Sequence, residues 1–228
     1  SFFINMAEPI EIIKKGKKEK VTTISLYLEY LEYGLNELLD SNIINNTMKI
    51  KIVIEIVHAM NHIHKQGMMH RDLKIENIML NSGFQTKLVD FGLARITECV
   101  LNEDSLTKGV GTFSYMSPEM LNEEKYDNKT DVYSFGVLLH ILFLGSIPKQ
   151  NLKDKTSRIK ISLPSQSSSA SKFCLELMEK CLSPSASERP SFEDILIELR
   201  KNSFELADDI NPSFLIQRDK ELELIEKI

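Results

Sequence analysis

The sequence predicts an α+β domain, with a strand pair at its front and a mainly helical body behind. Three observations carry that expectation. Residues 2–13 and 21–30 are rich in β-branched and aromatic side chains. From Gly34 onward the apolar residues recur with a helical period, over 48–65, 131–144, 170–182 and 191–202. The 228 residues, 42% apolar and 27% charged, are enough for one core of ordinary size with a tail.

The two front strands are separated by Lys14-Lys15-Gly16-Lys17-Lys18-Glu19-Lys20. This basic stretch reads as a solvated hairpin turn rather than a phosphate-binding patch, because strands frame it closely. Leu35, Leu38 and Leu39 then open a short helix. The next, Met48 to Lys65, places apolar residues at 50, 53, 54, 57 and 60, the stripe of a core-facing helix. Gln66-Gly67 ends it, glycine supplying the left-handed turn. Short strands follow at Ile78-Met79-Leu80 and Thr86 to Val89, split by the turn Asn81-Ser82-Gly83. Residues 94–113 are polar and irregular, a long loop of the functional kind.

Val132 to Pro148 is nearly as apolar as a membrane span, but it is short and carries His140 and two glycines. It reads as the central buried helix of a domain. Ser165 to Ser171 is a low-complexity linker into a helix start. Cys174 and Cys181 lie seven apart on one helical face, as core packing requires. The three cysteines are an odd number with no Cys-x-x-Cys pair, which argues against a disulfide framework or a zinc site and for a reducing setting. A net charge of -5, from 28 basic and 33 acidic residues, gives no electrostatic reason to expect nucleic acid or an anionic membrane as partner. No signal-peptide pattern opens the chain. It begins at Ser1 rather than Met, so the natural start is expected elsewhere.

Four separated motifs carry the chemistry: His70-Arg71-Asp72-Leu73-Lys74-Ile75-Glu76-Asn77; Asp90-Phe91-Gly92; Gly111-Thr112-Phe113-Ser114-Tyr115-Met116-Ser117-Pro118-Glu119; and Asp131-Val132-Tyr133-Ser134-Phe135-Gly136, with Glu188-Arg189-Pro190 much later. Asp72, Asn77 and Asp90 could converge as hard oxygen ligands, which suits magnesium. Lys74, two residues after Asp72, is a cation able to meet phosphate charge. Phosphoryl transfer needs such parts: metal on the phosphates, a carboxylate to orient the nucleophile, and positive charge at the transition state.

In order and spacing these motifs resemble those of the eukaryotic protein kinases, over roughly residues 1–202. The resemblance implies a protein-kinase-like fold: a remnant of the small-lobe β-sheet with the hinge in 1–30, a mostly helical large lobe in 31–202, and a helical tail in 203–228. It implies that Asp72 is the catalytic base, with Lys74 and Thr112 beside it, and that Asn77 and Asp90 hold Mg2+. Leu28, Glu29 and Leu31 would form the ATP-binding hinge, and Met79 the floor of the adenine pocket. His70 and Phe91 would belong to a packed apolar stack, Asp131 would steady the catalytic loop, and Glu119 and Arg189 would form a buried ion pair. Lys74 with Thr112 resembles the serine/threonine branch. The ending Tyr115-Met116-Ser117-Pro118-Glu119 resembles dual-specificity and tyrosine-kinase-like members. Arg71 before Asp72 implies control by a phosphate in the activation loop, with Thr107 the first candidate acceptor and Ser105 the second.

The sequence departs from the family at its front. Only 27 residues precede Leu28, and the nine glycines include no GxGxxG. Lys14 is not the strand lysine of that lobe, because the 13 residues between it and Leu28 cannot hold a helix plus two strands, at about 11 and 5 residues each. Two readings follow. One is an incomplete serine/threonine kinase domain, nearly inactive as these residues alone, with ATP and a protein as substrates. The other is a non-catalytic kinase-like interaction module. Either is expected in the cytoplasm or on the cytosolic face of a membrane, where magnesium-ATP is found.

Overall fold

The computed structural model describes residues 2–6, 10–14, 17–21, 24–41, 43–90, 95–96, 112–148 and 169–202. The chain divides into two compact units, Ser1–Glu32 and Tyr33–Ile228.

The first unit is built from antiparallel pairs. Strand β1 (Phe2–Met6) pairs with β4 (Ile24–Leu28), Phe2 lying opposite Leu28. Strand β2 (Ile10–Lys14) pairs with β3 (Lys17–Val21), Lys14 lying opposite Lys17. This corrects the expectation for the basic stretch. Lys17, Lys18, Glu19 and Lys20 belong to a strand, and only residues 15 and 16 separate β2 from β3. The reason is that ladder hydrogen bonds join backbone groups, so pairing continues through residues of poor strand propensity.

The second unit begins with β5 (Tyr33–Gly34) and the short helix α1 (Leu35–Asp40). Helix α2 (Asn46–Lys65) follows, its first turn capped by the Asn45 side chain, which accepts from Met48 N at 2.9 Å. Ile50, Val53, Ile54, Val57 and Met60 are all buried, as the stripe predicts. Gly67, at φ 68°, then takes the left-handed conformation that releases the chain. Strand β6 (Met68–Met69) leads into the loop that carries Asp72. Beyond a 3-10 turn at Ile75–Asn77, β7 (Ile78–Leu80) sits between β5 and β8 (Thr86–Leu88) in a three-stranded antiparallel sheet. Strand β9 (Arg95–Ile96) pairs with β6.

After a second 3-10 turn (Thr112–Tyr115) come α3 (Pro118–Leu121), α4 (Lys129–Leu144), α5 (Ser169–Cys181) and α6 (Phe192–Lys201). Helix α4 is the apolar run. It is buried on nearly every face, and no helix among the described residues is long and apolar enough to cross a membrane. It packs tightly on α5 because Gly136 has no side chain: a Cβ there would meet Cys181 Cβ and Leu182 Cγ, each at 2.9 Å. Cys174 and Cys181 are buried free thiols in that core. Burial pushes the Cys174 thiol up to about 12. Helix α6 starts with a reciprocal capping box between Ser191 and Asp194. Its Phe192 meets Phe135 of α4 edge to face at 5.4 Å.

Candidate active site

The loop between β6 and β7 is held from below by α4. Asp131, fully buried in the first turn of that helix, accepts three hydrogen bonds. His70 N donates to its Oδ2 at 2.9 Å and Arg71 N to its Oδ1 at 2.8 Å. His64 Nε2, from the last turn of α2, donates to Oδ2 at 2.8 Å. One carboxylate thus ties α2, the loop and α4 together. Arg71 stands at φ 68°, in the left-handed region that few non-glycine residues adopt. His70 is fully buried, and that burial pushes its imidazole below the usual value against the upward pull of Asp131, Asp72, the Val89 backbone and Asp90.

Asp72 comes next, buried, with its two carboxylate oxygens in different surroundings. Oδ2 accepts from Lys74 Nζ at 2.6 Å and from Asn77 Nδ2 at 3.0 Å. Oδ1 is buried and meets no hydrogen-bond partner among the described residues. Asn77 Nδ2 donates as well to the Asp72 backbone oxygen at 2.7 Å. Both atoms facing that amide nitrogen are acceptors, so the NH2 must point at Asp72 and the amide oxygen must point away. Asn77 also receives the chain leading to Asp90, since Val89 N donates to Asn77 O at 3.0 Å. Asp90 itself is exposed at φ 61°. The Tyr115 hydroxyl accepts from Ile75 N at 3.4 Å, and burial pushes its phenol up to about 12.

The structure therefore brings Lys74 and Asn77 onto Asp72, and ties Val89, the residue before Asp90, to Asn77 by a backbone hydrogen bond. Met79 is half-buried in β7, opposite Gly34 and Lys87. Thr112 opens a 3-10 turn. Leu28 ends β4, with Glu29 exposed and Leu31 half-buried beyond it. Phe91, Ser105, Thr107 and the tail 203–228 lie outside the described residues. Glu119 and Arg189 form the expected pair. Arg189 Nη1 and Nη2 donate to Glu119 Oε1 and Oε2 at 2.6 and 2.8 Å, deep in the unit. Burial alone would raise the Glu119 carboxyl, but the Arg189 hydrogen bonds and charge outweigh it and hold the group below its usual range. Sequence reasoning missed His64, Tyr115 and Tyr126 as supports of the loop. None lies in a local motif with Asp72, so no spacing could have marked them.

A family profile described as the protein kinase domain matches residues 7–198. The chain belongs to the protein kinase family. It is 33% identical over 157 residues to the serine/threonine/tyrosine-protein kinase HT1 of Arabidopsis thaliana, covering 67% of this chain and 39% of that protein. It is 33% identical over 181 residues to the dual specificity protein kinase pyk3 of Dictyostelium discoideum, covering 76% of this chain and 13% of that protein. A probable serine/threonine-protein kinase of Dictyostelium discoideum is 34% identical over 175 residues, covering 74% of this chain and 19% of that protein. The chain thus spans well under two thirds of the length of each. Its helices and small antiparallel sheet are those of a kinase fold. The donor set fits a hard cation: the outward amide oxygen of Asn77 and the exposed carboxylate of Asp90 are oxygen ligands of the type magnesium prefers.

Proposed function

We propose that the protein transfers the γ-phosphate of ATP to serine or threonine hydroxyls of proteins, with Asp72 as the group that receives the hydroxyl proton. The observation that carries this reading is the asymmetry of the Asp72 carboxylate. Lys74 and Asn77 both donate to Oδ2, while Oδ1 is buried and meets no hydrogen-bond partner among the described residues, so one acceptor oxygen of the carboxylate stays unused. A carboxylate whose rotation is stopped in this way presents one lone-pair direction, which orients the nucleophile in line with the phosphorus. Lys74 reinforces that by fixing Oδ2 with a charge-assisted bond, and its ammonium sits two residues from the base, where negative charge develops on the transferred group. Asn77 would ligate magnesium through its outward oxygen and Asp90 through its carboxylate; Leu28, Glu29, Leu31 and Met79 would bind the adenine, and Thr112 would flank Asp72. Magnesium-ATP supplies the phosphoryl group and neutralises its charge. That requirement favours the cytoplasm or the cytosolic face of a membrane as the place of action.

The test is phosphate transfer by the full-length native protein to serine- and threonine-containing peptides, compared with its Asp72→Asn form. A loss of about a hundredfold or more in kcat with folding intact is expected. Transfer that survives Asp72→Asn would sink the assignment. Partner binding that persists in an Asp72→Asn, Asp90→Asn double variant, with no transfer by the wild type, would favour a non-catalytic interaction module.

A further inference from the structure

Tyr126 belongs to none of the four motifs. It lies half-buried in the loop that leads from α3 into α4. Its hydroxyl accepts a hydrogen bond from Arg71 Nη2, and the guanidinium carbon of Arg71 lies 5.4 Å from the centre of its ring. Arg71 is thus gripped at both ends, by Asp131 at its backbone nitrogen and by Tyr126 at its side chain. Between those grips the residue stands at φ 68°. A non-glycine residue stays in that region only where its surroundings over-determine it. Arg71 Nε is buried and meets no acceptor among the described residues. Among the described residues, Tyr126 supplies the one hydrogen-bond acceptor of this side chain.

We infer that Tyr126 is a positioning residue of the catalytic loop: by holding the Arg71 side chain it fixes the left-handed turn at Arg71, and so the direction in which Asp72, the next residue, presents Oδ1. The kinetic consequence rests on the phosphate-transfer reading. The structural consequence does not.

Tyr126→Phe in the full-length protein keeps the ring over the guanidinium and removes only the acceptor. Hydrogen–deuterium exchange of a peptide spanning residues 68–77 should then quicken about tenfold or more, the scale of a lost hydrogen bond to a charged group, while α5 exchanges as before. In an Arg71→Ala background the same substitution should change that peptide's exchange less than about twofold, because the effect travels through Arg71. Where transfer is measurable, kcat should fall about fivefold or more with KM for peptide and ATP unchanged, a split that general loosening of the fold would not give. Exchange at wild-type rate in Tyr126→Phe, or an equal acceleration with and without Arg71, would overturn the inference. A wild-type protein with no transfer would count against the activity, and the exchange data would still decide the role of Tyr126.

Discussion

At the scale of single residues, the buried carboxylates of Asp72 and Glu119 differ in how completely their hydrogen-bonding capacity is met. Asp72 leaves one oxygen unmet among the described residues, and the proposed transfer would use it. Glu119 and Arg189 leave nothing unmet. Beyond the two bonds to Glu119, Arg189 donates through Nε to Ser183 O at 2.8 Å and through Nη1 to Lys129 O at 3.1 Å, and its guanidinium lies 4.9 Å from the Tyr133 ring centre. Removing Glu119 would strand a buried guanidinium, so Glu119→Gln should cost about 3–5 kcal/mol of stability. The pH dependence follows from the depressed carboxyl. In the unfolded chain Glu119 titrates near 4.5, and in the folded protein it titrates lower. Between those values the unfolded state holds more protons, so stability rises with pH there. The pair's contribution is complete above about 4.5 and is lost as the pH falls through the folded value. Urea unfolding midpoints of wild type and Glu119→Gln, measured from about pH 6 downward, should therefore converge as the solution is acidified. A gap of constant size across that range would show that the pair's charge is not what stabilises the fold.

Elements were legible in proportion to how local their causes are. Helix α2 shows its buried stripe and its glycine stop within the 22 residues from 46 to 67, and the structure places it there. Asp72, Lys74 and Asn77 share one loop, so their contacts could be expected from spacing alone. Strand β3 departs from its composition: its lysines signal a turn, whereas backbone pairing with β2 decides the matter. His64, Tyr115 and Tyr126 reach the loop from separate elements, and nothing in a single sequence announces such meetings. The contact between α4 and α5 is a similar case, since Gly136 was visible only as part of a motif. Its purpose appears once Cys181 and Leu182 stand against it. The Cys181 Cβ is anchored to its backbone and cannot swing aside, so Gly136→Ala must push the two helices apart. A destabilisation of about 1–3 kcal/mol is expected, read as a lower Tm in thermal denaturation. A Tm equal to that of the wild type would mean the α4–α5 seam has room for a methyl group.

At the scale of the whole second unit, core and site are joined by one buried carboxylate. Helix α4 is buried along almost its whole length, and Asp131 stands where its first turn meets the loop that carries Asp72. Three N–H groups, from His64, His70 and Arg71, converge on two carboxylate oxygens. That arrangement explains why an acidic residue sits in a helix otherwise almost free of charge: backbone donors of an irregular buried loop need acceptors that no neighbouring strand supplies. It also makes the site's geometry a property of the core. Asp131→Asn preserves size and shape but replaces one acceptor oxygen with an NH2 group, a donor facing donors. At least one of the three N–H groups then loses its acceptor in the interior, costing about 1–3 kcal/mol. Because two of the three belong to His70 and Arg71, the strain falls on the residues that set Asp72. Stability and phosphate transfer should decline together in Asp131→Asn, unlike Gly136→Ala, where Tm falls and kcat holds. Measuring Tm and kcat side by side in both variants separates the two cases. Full transfer by a destabilised Asp131→Asn protein would show that the loop keeps its shape without this anchor, and the coupling of core to site would have to run through another contact.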